Sequence, residues 1–326
     1  MTQRIHISPL RLALLAAAGL ALAAAPRAAR AQDLYVSDFG NNAVQEYAPD
    51  GTFVRTFATG ISEPDGLAYA NGSVFVASNN TATSTGQIAR YALNTAGSAP
   101  TLVFGSGLSD SITGLAVDGA GSVYVSDYNN NAVKEFSASG APVTSFTTSI
   151  NAPVGLAFDA NGALYVASST NNSVVKLTGL ANAAGPTVTP FATTTAAPQY
   201  LAFGTDGTLY VATAQGTLGN GSVSKFSATG TASGTLEDGT GASDPSSPYG
   251  LARLGTSFFV SDLTNNDVVQ YSSSGTYTRT ITSGLSQPYG LLAAPASTPE
   301  PSSVLALLTG AGTLTLLAAR RRARVN

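Results

Sequence analysis

Residues 114–136 read GLAVDGAGSVYVSDYNNNAVKEF. A short apolar step, Gly114-Leu115-Ala116-Val117, gives way to small polar residues. The alternating run Val123-Tyr124-Val125-Ser126 follows, then Asp127 with three asparagines, then Ala132-Val133-Lys134-Glu135-Phe136. Alternation with a period of two reads as strand, and clustered Gly, Asp and Asn read as turns. Three strands in so short a span form a meander, and the fold is decided by how the meander recurs.

The second strand returns as Leu34-Tyr35-Val36-Ser37, Val74-Phe75-Val76-Ala77, Leu164-Tyr165-Val166-Ala167, Leu209-Tyr210-Val211-Ala212 and Phe258-Phe259-Val260-Ser261. With Tyr124 that makes six aromatic positions, 40 to 49 residues apart. A first strand precedes most copies, as in Gly66-Leu67-Ala68-Tyr69, Gly155-Leu156-Ala157-Phe158 and Gly250-Leu251-Ala252-Arg253, with Tyr200 in the glycine position of one copy. Asn71-Gly72, Asn161-Gly162 and Asp206-Gly207 suit the positive φ of a tight hairpin turn between the two. A third strand follows, as at Ala43 to Tyr47 and Val268 to Tyr271, and a fourth ends in Phe57, Phe104, Phe146, Phe191 or Ile281. Four short antiparallel strands at this period are the content of one propeller blade.

Phase decides closure. The repeats begin on a second strand near Leu34 and end on a first strand at Gly290-Leu291-Leu292-Ala293, so the two partial blades complement one another. Sharing one sheet removes both free edges, which an open β-solenoid leaves exposed. The expected fold is all-β: a six-bladed β-propeller over residues 32–294, four antiparallel strands per blade, the terminal strands sharing a blade, and apolar helices only at the chain's two ends. The repeat resembles the NHL-repeat propellers, whose blade runs Pro-x-Gly-Leu-Ala-x-Asp, Gly-x-Leu-Tyr-Val-Ala-Asp, then Asn-x-Val-x-x-Phe. Gly114-Leu115-Ala116-Val117-Asp118, Gly121, Tyr124-Val125-Ser126-Asp127, Asn131 and Val133 match it nearly throughout. That resemblance implies a fold and leaves chemistry open.

Both ends have the composition of addresses. Arg4 and Arg11 precede an apolar run from Leu12 to Ala25, and Ala29-Arg30-Ala31 places small residues where a signal peptidase reads. The run is shorter than the roughly 20 residues a spanning helix needs, so residues 1–31 are expected to be a signal peptide cleaved after Ala31. At the other end, Pro299-Glu300-Pro301, an apolar helix over 303–319 and the cluster Arg320, Arg321, Arg322 form a stop-transfer pattern in residues 295–326. This tail resembles the PEP-CTERM sorting signal. The resemblance implies processing by an exosortase after transient insertion in the inner membrane of a Gram-negative bacterium, and release toward the envelope surface or an extracellular matrix.

Between these ends, residues 32–298 carry seven basic and seventeen acidic side chains, a net charge of −10. Such a body repels phosphate backbones, which argues against nucleic acid as a partner. The chain has no Cys and a single His, His6, inside the expected signal peptide. Thiolate chemistry, disulfides and imidazole catalysis are therefore absent from the expected mature protein.

In a propeller, the connections into the first strand and out of the second open on one face around the central channel. Just before the Gly-Leu step, or in place of its glycine, stand Asp65, Thr113, Tyr200, Tyr249 and Tyr289. The three tyrosines fall in consecutive positions of the closed ring, where they either form an aromatic arc for sugar rings or fill gaps between blades. At the end of the second strand stand Asp38, Asp127 and Asp262, each followed by asparagines. Their oxygens suit Ca²⁺, but these are also turn residues and lack the spacing of a dedicated calcium loop. Turn closure is thus the expectation, with Ca²⁺ the alternative and no other cofactor.

These readings point to a non-enzymatic binding or structural module at the cell surface, with exopolysaccharide or another envelope protein as partner. The alternative is a metal-dependent hydrolase or lyase similar to the gluconolactonase-like propellers, whose resemblance implies a channel Glu, Asn and Asp set. Glu63 is the one glutamate placed for that role. The histidine base of the streptogramin lyases has no counterpart here.

Overall fold

The structure is a computed structural model that describes residues 32–93, 99–182, 185–214, 221–237, 244–282 and 284–296. The expected signal peptide with Ala29 and Ala31, and the tail with Pro299, Glu300, Pro301 and the arginine cluster, lie outside the described residues. Residues 32–295 form one compact unit. Among the described residues there are strands and turns and no helix, hence none long and apolar enough to cross a membrane.

The strands make six four-stranded antiparallel sheets, the blades of a propeller. Blade 1 joins the last strand to the first three: β24 (Pro288–Ala294), β1 (Asp33–Asp38), β2 (Ala43–Tyr47) and β3 (Phe53–Thr59). Blade 2 is β4 (Pro64–Ala70), β5 (Ser73–Asn80), β6 (Thr85–Ala92) and β7 (Leu102–Phe104). Blade 3 is β8 (Ile112–Val117), β9 (Val123–Asp127), β10 (Ala132–Phe136) and β11 (Pro142–Phe146). Blade 4 is β12 (Pro153–Phe158), β13 (Leu164–Ser168), β14 (Ser173–Thr178) and β15 (Thr187–Thr193). Blade 5 is β16 (Ala197–Phe203), β17 (Leu209–Ala214), β18 (Ser222–Phe226) and β19 (Ala232–Thr235). Blade 6 is β20 (Pro248–Leu254), β21 (Ser257–Asp262), β22 (Asp267–Ser272) and β23 (Tyr277–Ile281).

The ring closes as the phase of the repeat requires. β24 pairs antiparallel with β1, Leu291 opposite Val36 and Leu292 opposite Tyr35. The first strands are innermost, and each touches the first strand of the next blade around the ring, β24 meeting β4.

The alternation of the second strand explains why blades stack. Tyr124 faces blade 4, where it packs with Leu156 and Val166, while Val123 and Val125 face Phe75 and Ile88 of blade 2. The same division holds in every blade, with Tyr35 facing blade 2 and Leu34 and Val36 facing blade 6. Both faces of the inner strands of each sheet are thus buried, and each fully buried Val or Leu contributes roughly 1.5–3 kcal/mol. The glycine of the first strand is required by this approach. A Cβ on Gly114 would lie 2.2 Å from the Val154 carbonyl oxygen of the next blade, and one on Gly250 would lie 2.0 Å from that of Tyr289.

The turns differ in part from expectation. Asn71 and Gly72 both have positive φ in a two-residue hairpin loop, with Ala70 opposite Ser73. At Asn161-Gly162 and Asp206-Gly207 only the glycine does, and the loops are longer. There an aspartate organises the turn: Asp159 Oδ1 accepts from the amides of Asn161 and Ala163, both at 2.9 Å. Asp118 holds Ala120 and Ser122 in the same way.

A second device joins blades at their loops. Asn42, Asn131 and Asn266 adopt left-handed φ of 52°, 51° and 56°. Their side-chain oxygens accept from the amides of Glu63, Ala152 and Gln287, each just before the first strand of the next blade.

Candidate functional site

On the face where first strands begin and second strands end, the inner strands surround a basin of about 500 Å³. Its floor is built from side chains of opposite blades. Asp65, second residue of β4 in blade 2, is 2 % exposed. Tyr200 of blade 5 crosses the ring and donates its hydroxyl to Asp65 Oδ1 at 2.8 Å, while Tyr249 of blade 6 donates to Oδ2 at 3.3 Å. Burial pushes the Asp65 carboxyl up to about 7, with the two tyrosine hydrogen bonds pulling the other way. Burial and the Asp65 carboxylate push the hydroxyls of Tyr200 and Tyr249 well above the ordinary phenol range. The tyrosines therefore stay protonated and serve Asp65 only as donors.

The rings continue from the floor into the wall. Tyr200 and Tyr249 lie 5.4 Å apart, Tyr249 and Tyr289 meet edge to face at 4.7 Å, and Tyr289 stacks on Phe39 at 4.6 Å with 22° between planes. Such contacts add to the area that each ring buries and fix the arc in place. Tyr249, Tyr289 and Phe39 line the basin, and Tyr128, 37 % exposed, stands at its rim. Tyr200 is buried in the core cluster that also holds Val154 and Leu251, and its ring supports the arc from behind through Tyr249.

Polar groups complete the lining. Glu63 precedes Pro64 with a left-handed φ of 47°, its amide held by Asn42 and its carboxylate accepting from the Thr81 hydroxyl at 3.2 Å. Asp110 accepts from the Asn129 side-chain amide at 3.1 Å. Asn79 is spent on the backbone of Ile112, donating to its oxygen at 3.0 Å and accepting from its amide at 2.8 Å. Thr113 is buried, and its hydroxyl reaches the carbonyls of Pro153 and Val154, which ties blade 3 to blade 4.

The three second-strand aspartates are fully buried, each in its own blade, and each clamps the loop that leads into the inner strand of that blade. Asp38 accepts from the Ser286 amide at 2.8 Å and from Asn41 at 2.7 Å. Asp127 accepts from Ser109, Asn130 and Lys134, the last at 2.7 Å. Burial raises its carboxyl, but these donors outweigh burial and hold it below the usual range. Asp262 accepts from the amides of Ser246 and Ser247 and from the Asn265 side chain. The structure does not bring the three together, and among the described residues no group of three or more His, Cys, Asp and Glu side chains is placed to hold a metal ion.

Phe39 and Tyr128 escaped the sequence reading, although both directly follow the aspartate of a second strand, in Asp38-Phe39 and Asp127-Tyr128. An aromatic residue in the first place of that turn was the available signal.

With this geometry in view, comparison with solved structures gives the fold. The chain is similar to a chain of a nidogen/laminin complex, at 16 % identity and a TM-score of 0.65 over 82 % of this chain and 99 % of that one. It is similar to virginiamycin B lyase of Staphylococcus aureus, at 16 % identity and a TM-score of 0.52 over 70 % of this chain and 73 % of that one. A Bacteroides caccae protein of unknown function aligns at 12 % identity and a TM-score of 0.60, over 81 % of this chain and 99 % of that one. No family model and no curated protein matches the sequence. At these identities the likeness is one of architecture, shared by a binding complex and a lyase.

Proposed function

We propose that the chain is an exported, surface- or matrix-associated propeller that binds polysaccharide in the channel-mouth basin without catalysis. The observation that carries the reading is the fixed aromatic arc from Tyr249 through Tyr289 to Phe39, anchored below by Asp65 and Tyr200. Flat rings held rigidly beside hydroxyl, amide and carboxylate groups offer sugar rings a face and their hydroxyls partners, at little ordering cost. The volume lies within the range of about 300–1,000 Å³ usual for ligand cavities.

The test is co-sedimentation of the full chain with purified exopolysaccharide of its host. Retention is expected, falling at least tenfold in Tyr289→Ala, whose ring lines the basin while the hydrogen bonds to Asp65 come from Tyr200 and Tyr249. Equal retention of the variant with an unchanged Tm would remove the arc from the account.

Export rests on the sequence of the two ends, through Ala29 and Ala31 for the signal peptidase and Pro299-Glu300-Pro301 for an exosortase. Sequencing of the mature N-terminus is expected to begin at Gln32. A protein beginning at Met1 would refute the cleavage.

The metal-dependent hydrolase or lyase alternative has less support. Glu63, Asp65 and Asp110 line one basin, but the Asp65 oxygens face tyrosine donors, and Glu63 and Asp110 are engaged by Thr81 and Asn129 on their own sides.

A further inference from the structure

The basin is one-sided in its charge. Glu63, Asp65 and Asp110 contribute three carboxyl groups to the lining, and among the described lining residues there is no Lys or Arg. Five of the seven cations of residues 32–298 are engaged elsewhere. Arg55 pairs with Glu46 at 2.5 Å, Lys134 with Asp127 and Lys176 with Asp159. Arg253 and Arg279 donate to the backbone carbonyls of Phe203 and Asp50.

The partners of the basin carboxyls, by contrast, are neutral: hydroxyls of Thr81, Tyr200 and Tyr249 and the amide of Asn129. Hydrogen bonds from neutral donors orient a carboxylate without cancelling its charge. In a recess walled by protein, that charge is less screened than on an open surface. The rings add to the same preference, because the negative face of an aromatic quadrupole attracts a cation within about 6 Å. Tyr249 and Tyr289 stand beside Asp65, and the positions of Tyr128 and Phe39 widen the aromatic wall around the acidic groups.

A neutral sugar unit would use the rings and hydrogen-bond the carboxylates but leave their charge unopposed, and a uronic acid would be repelled by them. A lone divalent ion would find its carboxylates dispersed, since among the described residues no three are grouped to hold one. The occupant that uses both parts of the lining combines a flat, hydroxyl-bearing ring with a positive charge.

We infer that the basin is selective for a sugar unit bearing a free, protonated amino group, with the ring against Tyr289 and Tyr249 and the ammonium directed to the carboxylates of Glu63 and Asp110. The inference rests on the carbohydrate-binding reading and specifies its substrate class: a polysaccharide containing hexosamine units that are not N-acetylated.

The test is calorimetric titration of the full chain with three oligosaccharides of matched length: β-linked glucosamine, the same oligomer fully N-acetylated, and a neutral β-glucan. Glucosamine oligomers are expected to bind at least tenfold more tightly than either of the others, with the preference shrinking as salt rises. The double variant Glu63→Gln, Asp110→Asn leaves Asp65 and the ring arc in place. It is expected to lose the preference, binding the glucosamine and N-acetylated oligomers alike, at unchanged Tm. Equal binding of all three oligomers by the native chain overturns the inference and leaves the carbohydrate reading standing. Binding of none of the three overturns both.

Discussion

The Tyr200 hydroxyl lies 2.8 Å from Asp65 Oδ1 although the two residues are 135 positions apart and belong to opposite blades. Five blades carry glycine at the equivalent position, where a Cβ would meet the backbone of the next blade; in blade 5 a tyrosine stands there and runs across the ring instead. One substitution in the repeat thus carries a hydroxyl across the ring to a carboxyl that lines the basin.

Removing that donor alone tests the contact. Tyr200→Phe keeps the ring in its buried cluster but leaves Asp65 Oδ1 without its shorter hydrogen bond. A buried acceptor deprived of its partner costs about 1–3 kcal/mol. The expected outcome is a lower urea midpoint with an unchanged m-value. Tyr249→Phe, which removes the longer bond beside the open basin, is expected to cost less. A Tyr200→Phe variant as stable as the native chain would show that Asp65 does not depend on the bond.

Stability should fall as pH rises from acid to neutral. Burial pushes Asp65 and Glu237 up to about 7, and burial together with Asp262 pushes Asp267 up to about 6. In the unfolded chain such groups lose their protons near pH 4. Between about pH 4 and 7 the folded state therefore binds more protons than the unfolded one, and the free energy of unfolding declines across that window. Asp127, Asp159 and Asp206 are shifted the other way, so their contribution is complete above about pH 4 and is lost only below it. A Tm series is expected to be higher at pH 5 than at pH 8. Asp65→Asn, which keeps an acceptor for Tyr200, should flatten the slope and match or exceed the native chain at pH 8. A Tm that rises from pH 5 to pH 8 would contradict the assignment.

Inner-strand glycines should be far less replaceable than loop glycines. In Gly114→Ala the new methyl meets the Val154 carbonyl at 2.2 Å, and backbone on both sides resists movement. Overpacking of this kind costs typically about 1–3 kcal/mol, and the rigid neighbours put the expected value at the upper end. Gly119 has nothing within 4 Å of a Cβ and no positive φ, so Gly119→Ala should be nearly neutral. Thermal unfolding of the pair separates a packing requirement from general sensitivity to the substitution.

The inter-blade asparagines give a local test. Asn131→Gly tolerates the φ of 51° but removes the oxygen that accepts from the Ala152 amide at 2.7 Å. A loss of about 1–2 kcal/mol is expected. Hydrogen exchange at the Ala152 amide should accelerate with it, and unchanged exchange would refute the staple.

Much of this architecture is legible in the chain because blade stacking writes itself as alternation. Tyr124 between Val123 and Val125 addresses one neighbouring blade while the valines address the other, so the six copies can be counted and their phase read. The outer strand of blade 5, Ala232–Thr235, left no such mark: its four residues are all exposed and carry no apolar alternation. The basin was legible only in part. Asp65, Tyr249 and Tyr289 follow from their place before the Gly-Leu step. The contact of Tyr200 with Asp65 does not, because its partner lies across a ring that local pattern cannot measure. Thr113 and the aspartates 38, 127 and 262 stand at recognisable positions, but whether an oxygen faces the channel or the backbone depends on the loop of the same or the next blade. The structure gives them to the backbone and to nearby side chains.

The central claim is that ligand occupies the basin above Asp65, and the most direct measurement is the carboxyl carbon resonance of the aspartates during titration with host exopolysaccharide fragments. The Asp65 resonance is expected to move in proportion to occupancy, while those of Asp159 and Asp206, in turns between first and second strands, stay still. Movement at Asp159 or Asp206 with a fixed Asp65 would place binding elsewhere on the propeller and contradict the account.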